Sequence, residues 1–237
     1  MQLPYFPLHV VAFPHLPLPL HIFEERYRTM TADLLADGSP YDGRFVVSMI
    51  TDGPEVGGMA ATRGTGTICQ IRSADRLADG RWILLAVGVA RAHLGEVDRS
   101  RPYALIEVEA LDEPVGEEAA ALVPAVQLAL DAYLASVKRF VARAASGGDQ
   151  SHGTSDVKVT LDEVLKPVQL PDDPVSASYA VGGMLQVELT RKQRLLELPD
   201  AATRLRAELA LLRTESRLLD DGELPTVPTT DLGYHPN

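Results

Sequence analysis

The chain has 237 residues, 46% apolar and 23% charged, close to globular averages, which excludes a fully disordered chain and allows one large domain or two modest ones. Its 33 acidic against 22 basic residues give a net charge of −11; such a surface repels phosphate backbones and anionic bilayers, so nucleic acid and membrane are disfavoured as partners. One cysteine, Cys69, rules out an internal disulfide or a cysteine-built zinc site. With no uninterrupted apolar run of ~18 residues and no secretion signal, the sequence points to the cytoplasm.

Near the start, Leu16, Leu18 and Leu20 alternate with Pro17 and Pro19, a stiff extended segment that displays side chains at low ordering cost. A helix is predicted from about Ile22 to Leu35. Strands follow at 44–50, 66–72, 81–89 and 103–111, each rich in Val, Ile and Leu and bounded by Gly, Asp, Pro or Ser. Asp79-Gly80 between two of them predicts a type I′ hairpin, with φ > 0 at both central residues. Short antiparallel strands joined by tight turns suggest a small barrel or strongly curved sheet.

From about Gly116 the period lengthens. Leu122, Val126, Leu130, Tyr133, Val137 and Phe140 mark one face of a long helix that starts or kinks at Pro124. Asp173-Pro174 reads as an N-cap followed by proline at the first helical position. Thr190 and Gln193 have capping-box spacing, and Asp200 caps a last helix built on Leu205, Leu209, Leu212 and Leu219. The expected division is a β-rich lobe at 1–112, a helical part at 113–220 with a flexible loop at 146–160, and a disordered tail at 221–237.

Catalytic signatures are absent from the sequence: no GxxxxGK[ST], GxSxG or HExxH occurs. His9, His15 and His21 are evenly spaced, but six residues of extended chain spread ligands by roughly 20 Å, so neither a metal site nor another cofactor is expected. Cys69 in an apolar strand reads as buried, Trp82 and Tyr103 as core or rim, and Glu24, Glu25, Arg26 and Arg28 as a solvated helix face.

One segment is far more specific. Leu3–Arg28, LPYFPLHVVAFPHLPLPLHIFEERYR, resembles the signature of the Lon N-terminal, or substrate-binding, domain family. Gly64-Thr65-Gly66-Thr67-Ile68 is similar to that family's GT-x-A-x-I strand. Asp79-Gly80-Arg81 with Gly88-Val89-Ala90-Arg91 resembles its DGR…G-x-x-R hairpin. Pro102-Tyr103 and Lys192-Gln193 with Leu195-Leu196-Glu197 match its later motifs.

The resemblance implies an α+β fold: a PUA-like pseudo-barrel lobe with one helix, then a C-terminal helical bundle. It also implies a non-enzymatic polypeptide-binding or adaptor module, because the family's ATPase and Ser-Lys peptidase domains have no counterpart in these residues. Its partners would be unfolded or exposed hydrophobic segments, together with a protease or ATPase on a separate chain. The expected peptide-binding surface comprises His15, Leu16, Leu18, Leu20, Phe23, Glu25 and Arg26, with the leucines equally readable as core. The competing readings are a PUA-like binder of RNA or a small molecule, and a hydrolase using Cys69 or a histidine–carboxylate site.

Overall fold

The computed structural model describes residues 1–53, 61–146 and 168–222. The loop expected at 146–160 and the tail expected at 221–237 lie, but for their first residues, outside the described residues. Among the described residues, contacts divide the chain into two compact units: residues 1–113 with 188–197, and residues 114–187 with 198–222.

The first unit holds seven strands, β1 (Gln2–Leu8), β2 (Pro17–Ile22), β3 (Arg44–Asp52), β4 (Ala61–Thr62), β5 (Thr65–Arg76), β6 (Trp82–Asp98) and β7 (Leu105–Ala110), and the helix α1 (Glu25–Leu35). The sheet runs β1-β7-β6-β5-β3-β4, and a parallel pairing of β1 with β3 closes it into the expected barrel. The 17-residue β6 serves two neighbours on one side: Trp82–Val87 pair with β2, and Ala92–Asp98 pair with β7. Phe6 and Phe45 are buried inside, with Tyr27 of α1 against Phe6 at 4.2 Å between ring centroids. The helix begins at Glu25, three residues later than predicted, because Ile22 is still paired to Trp82.

The Asp79-Gly80 hairpin forms by a different turn. Only Gly80 has positive φ (84°); Gly80 N–H donates to Leu77 O (2.9 Å) and Leu77 N–H to Arg81 O (2.8 Å). This is a three-residue loop, a type I turn followed by a left-handed glycine, and it lets Asp79 keep ordinary backbone geometry.

The helix α2 (Ala119–Ser146) is followed by α3 (Pro174–Met184), α4 (Leu189–Glu197) and α5 (Ala201–Asp221). The short α4, read as part of the helical half, groups with the barrel unit instead. Its Gln193 amide donates to Thr65 O (3.0 Å) and to Glu197 Oε1 (2.9 Å), so Gln193 ties the helix to β5 and does not close a capping box. Thr190 already lies inside the first turn.

The second unit contains α2, α3 and α5. Asp173 caps α3 by accepting from Ser176 N–H (2.8 Å), and Asp200 caps α5 by accepting from Thr203 N–H (2.7 Å), as the sequence predicts. Pro124 lies inside α2, which starts five residues before it at Ala119. Within this unit α2 buries Val126, Leu130 and Tyr133. Its stretch Ala119–Arg143 is long and apolar enough to cross a membrane by length and composition. Gln127, Asp131 and Lys138 punctuate that stretch, so it contains no uninterrupted apolar run of the length expected of a span.

Candidate functional site: the outer face of the β2–β6–β5 ribbon

Much of the sequence pattern that carries the family resemblance builds the scaffold. Thr67 Oγ1 donates to Ala12 O (2.6 Å), and Arg28 Nε donates to Gly80 O (2.8 Å). Arg91 is 2% exposed and donates from Nε to Glu113 Oε1 (2.9 Å), from Nη1 to Leu196 O (2.9 Å) and from Nη2 to Asp112 O (3.1 Å).

Gly88 lies where the turn before β2 crosses β6. His15 N–H donates to Gly88 O (2.8 Å) and Gly88 N–H to Leu16 O (3.1 Å), and a Cβ on Gly88 would collide with the carbonyl of Phe13. Gly88→Ala is therefore expected to cost about 1–3 kcal/mol through backbone displacement. A urea midpoint equal to that of the unsubstituted protein would contradict this contact.

The turn itself is made by Phe13-Pro14-His15-Leu16. Leu16 N–H reaches Phe13 O at 3.4 Å, and His15 takes φ 66°. Proline at the second position and a left-handed third residue are the signature of a type II turn. His15 is thus exposed at the entrance to β2.

Residues opposite one another in an antiparallel pair share a face. Leu18, Leu20 and Ile22 stand opposite Ala86, Leu84 and Trp82 and point inward; Leu18 is 9% and Leu20 5% exposed, both within the barrel core. These two leucines of the expected binding surface are core residues, because their register with β6 turns them into the barrel. The outward set is Pro17, Pro19 and His21, opposite Val87, Leu85 and Ile83. Across β6 these meet Gln70, Ser73 and Asp75 of β5.

The result is a three-by-three platform with an apolar centre. Ile83 (43%) and Leu85 (40%) are among the most exposed large apolar side chains in the described protein, and Pro17 and Pro19 flank them. Asp75 and His21 mark the end nearest the Asp79-Gly80 turn.

The remaining expected residues flank β2. Leu16 is half-buried before it and Phe23 half-buried just after it, with the Phe23 ring 6.2 Å from that of His21. Arg26 pairs with Glu24 (3.0 Å) and lies over the Tyr27 ring, while Glu25 is exposed and pairs with Arg28 (3.0 Å). Their charges are matched locally. Sequence reading missed Ile83 and Leu85, although their two-residue alternation with Leu84 was available as a signal.

Cys69 is fully buried in β5, and burial pushes its thiol up to about 12. A thiol so held is neither ionised nor reachable at neutral pH. Among the described residues no group of three or more His, Cys, Asp and Glu side chains could hold a metal ion.

Sequence reading also missed a polar cluster inside the helical unit. Arg204, Glu208 and Glu215 of α5 are buried, with Ser178 and Tyr179 of α3 beside Arg204. Arg204 donates to Ser178 Oγ (2.8 Å) and to Leu198 O (3.3 Å), and its guanidinium stacks 4.1 Å from the Tyr179 ring centroid. Neither carboxylate oxygen of Glu208 has a hydrogen-bond partner. The signal was present in the spacing, since Arg204, Glu208, Leu212, Glu215 and Leu219 recur every three or four residues on the leucine face.

Barrel, helices and platform define a small α+β module that presents a side-chain surface on one sheet face. The chain belongs to the Lon substrate-binding domain family: the model for the ATP-dependent protease La (LON) substrate-binding domain matches residues 2–214. It is 26% identical over 221 residues to a Lon protease of Trichlorobacter lovleyi and 24% identical over 224 residues to Lon protease of Escherichia coli K12, in each case over 92% of this chain. The chain spans about a quarter of the length of those relatives (24% and 25%). Among solved structures, the N-terminal domain of a Mycobacterium avium complex Lon protease aligns with a TM-score of 0.60 at 18% identity, covering 90% of this chain and 98% of that one. A Lon N-terminal domain protein from Xanthomonas campestris aligns with a TM-score of 0.56 at 21% identity, covering 89% and 98%.

Proposed function

We propose that this chain is a non-enzymatic, cytoplasmic polypeptide-recognition module that takes exposed apolar segments of unfolded chains and acts as an adaptor for a protease or ATPase on a separate chain. The observation that carries this reading is the outward pair Ile83 and Leu85 set between Pro17 and Pro19, in a chain of the Lon substrate-binding domain family. Apolar side chains held on a rigid sheet take up a client's side chains with little further ordering. His15, Leu16, Phe23, Glu25 and Arg26 extend the surface at either end of β2, whereas Leu18 and Leu20 act only through the fold. The buried, protonated Cys69 thiol speaks against the hydrolase reading. The net charge of −11 speaks against RNA.

Binding of a permanently unfolded model protein, such as reduced and carboxymethylated lactalbumin, tests the reading. Ile83→Ser and Leu85→Ser should each weaken binding by ~1–2 kcal/mol, the loss of one buried aliphatic contact, and leave the melting temperature nearly unchanged. Glu25→Ala should alter affinity less and mainly change its salt dependence. Full binding by the Ile83→Ser/Leu85→Ser double variant would remove the platform as the site, and a salt-sensitive shift of labelled RNA would favour the alternative.

A further inference from the structure

Among the described residues the platform has one edge without a strand partner. Among the described residues β2 pairs with β6 on one side and with no strand on the other. An unpaired strand edge invites another chain to add a strand, which is a standing aggregation hazard.

The direction of each backbone group on β2 follows from one hydrogen bond. Gly88 N–H donates to Leu16 O (3.1 Å), so residue 16 belongs to the set whose N–H and C=O face β6. Antiparallel strands alternate, and the register Leu18↔Ala86, Leu20↔Leu84 and Ile22↔Trp82 continues that set. Pro17, Pro19 and His21 therefore aim their backbone groups away from the sheet. Two of those three positions are proline, which has no N–H to offer.

We propose that Pro17 and Pro19 close the free edge of β2 against strand addition by a second copy of this chain. Two copies of β2 paired antiparallel about residue 19 would match 17 with 21, 19 with 19 and 21 with 17, an isologous contact. With a donor at every outward position, three residues on each of two strands would exchange six hydrogen bonds. With prolines at 17 and 19, only the two donated by the His21 amides remain. The edge keeps its carbonyls, loses two of its three donors, and so makes a poor template for a partner strand. This goes beyond the polypeptide-recognition reading, because it concerns the edge and not the face, and neither readout below uses a client.

Two measurements on the full chain test it. In the native protein, amide hydrogen exchange should show Leu18, Leu20 and Ile22 protected by β6 and the His21 amide exchanging freely. A His21 amide as protected as its neighbours would overturn the assignment of the edge. Size-exclusion chromatography with light scattering should then find the native chain monomeric and Pro17→Thr/Pro19→Thr dimerising at least about tenfold more tightly, with His21 protection rising as the dimer forms. A double variant that melts cooperatively and stays monomeric at the highest attainable concentration would overturn the gatekeeping role. Should the double variant fail to fold, Pro19→Thr alone restores the central donor and is held to the same two outcomes.

Discussion

Replacing Arg91 by alanine should cost the barrel unit about 3–5 kcal/mol, the usual penalty for removing one member of a buried charged pair. The guanidinium serves three acceptors at once, the Glu113 carboxylate and the carbonyls of Asp112 and Leu196. Leu196 lies in the last turn of α4, where carbonyls lack intrahelical partners and a positive charge is favoured. Without Arg91 the Glu113 carboxylate, whose side chain is only 24% exposed, loses its counter-ion, and the end of α4 loses its donor. Arg91→Lys should recover only part of the loss, because an ammonium cannot reproduce a planar fork that reaches three directions. Urea denaturation measures the effect, and hydrogen exchange across 189–197 localises it. A loss below about 1 kcal/mol, the range of exposed pairs, would show that the arginine is dispensable.

Glu208→Gln should make the helical unit more stable at neutral pH and flatten its pH dependence. Burial holds the Glu208 carboxyl well above the usual carboxylate range, and the nearby Arg204 charge only partly opposes this. On α5, Arg204 lies one turn earlier and Glu215 two turns later; Tyr179 of α3 packs against Arg204, and Tyr133 of α2 feels the Glu215 charge. A carboxyl with a raised folded-state pKa binds its proton more tightly in the folded than in the unfolded chain. Its contribution is therefore complete below the unfolded value of about 4.3 and is lost as pH rises toward the folded value, by at most about 1.4 kcal/mol per pH unit.

The N-cap carboxylate Asp200 and the ion-paired Asp220 behave oppositely, and their influence is separable. The Thr203 backbone N–H holds Asp200 below the usual range, and the Arg139 side chain does the same for Asp220. Both finish titrating in acid, so neither contributes to the slope above about pH 5. Thermal melts from pH 5 to 8, with hydrogen exchange of the α5 amides, should show stability falling in the native chain and nearly level in Glu208→Gln. Equal slopes in the two proteins would place the titration elsewhere.

Local chemistry determined a large part of this protein. Asp173 and Asp200 cap their helices because a short carboxylate before a helical run satisfies orphaned N–H groups without help from the rest of the fold. Four of the seven strands, β3, β5, β6 and β7, were legible because valine, isoleucine and leucine cluster between turn residues, and the family motifs were legible as residue order. Position along the chain could not say which side of a strand is inside. The alternation of leucine and proline at 16–20 defines two faces, but only pairing with β6, more than sixty residues away, turns Leu18 and Leu20 inward and leaves the prolines outside.

The same non-local pairing placed Ile83 and Leu85 on the platform and took α4 into the barrel unit through Arg91 and Gln193. Tertiary packing also buried Arg204 and Glu208 on a helix whose leucines alone had suggested an ordinary apolar stripe. Periodicity reports that residues share a face. What that face meets depends on partners distant in sequence, and their register is set only when the barrel and the helices close.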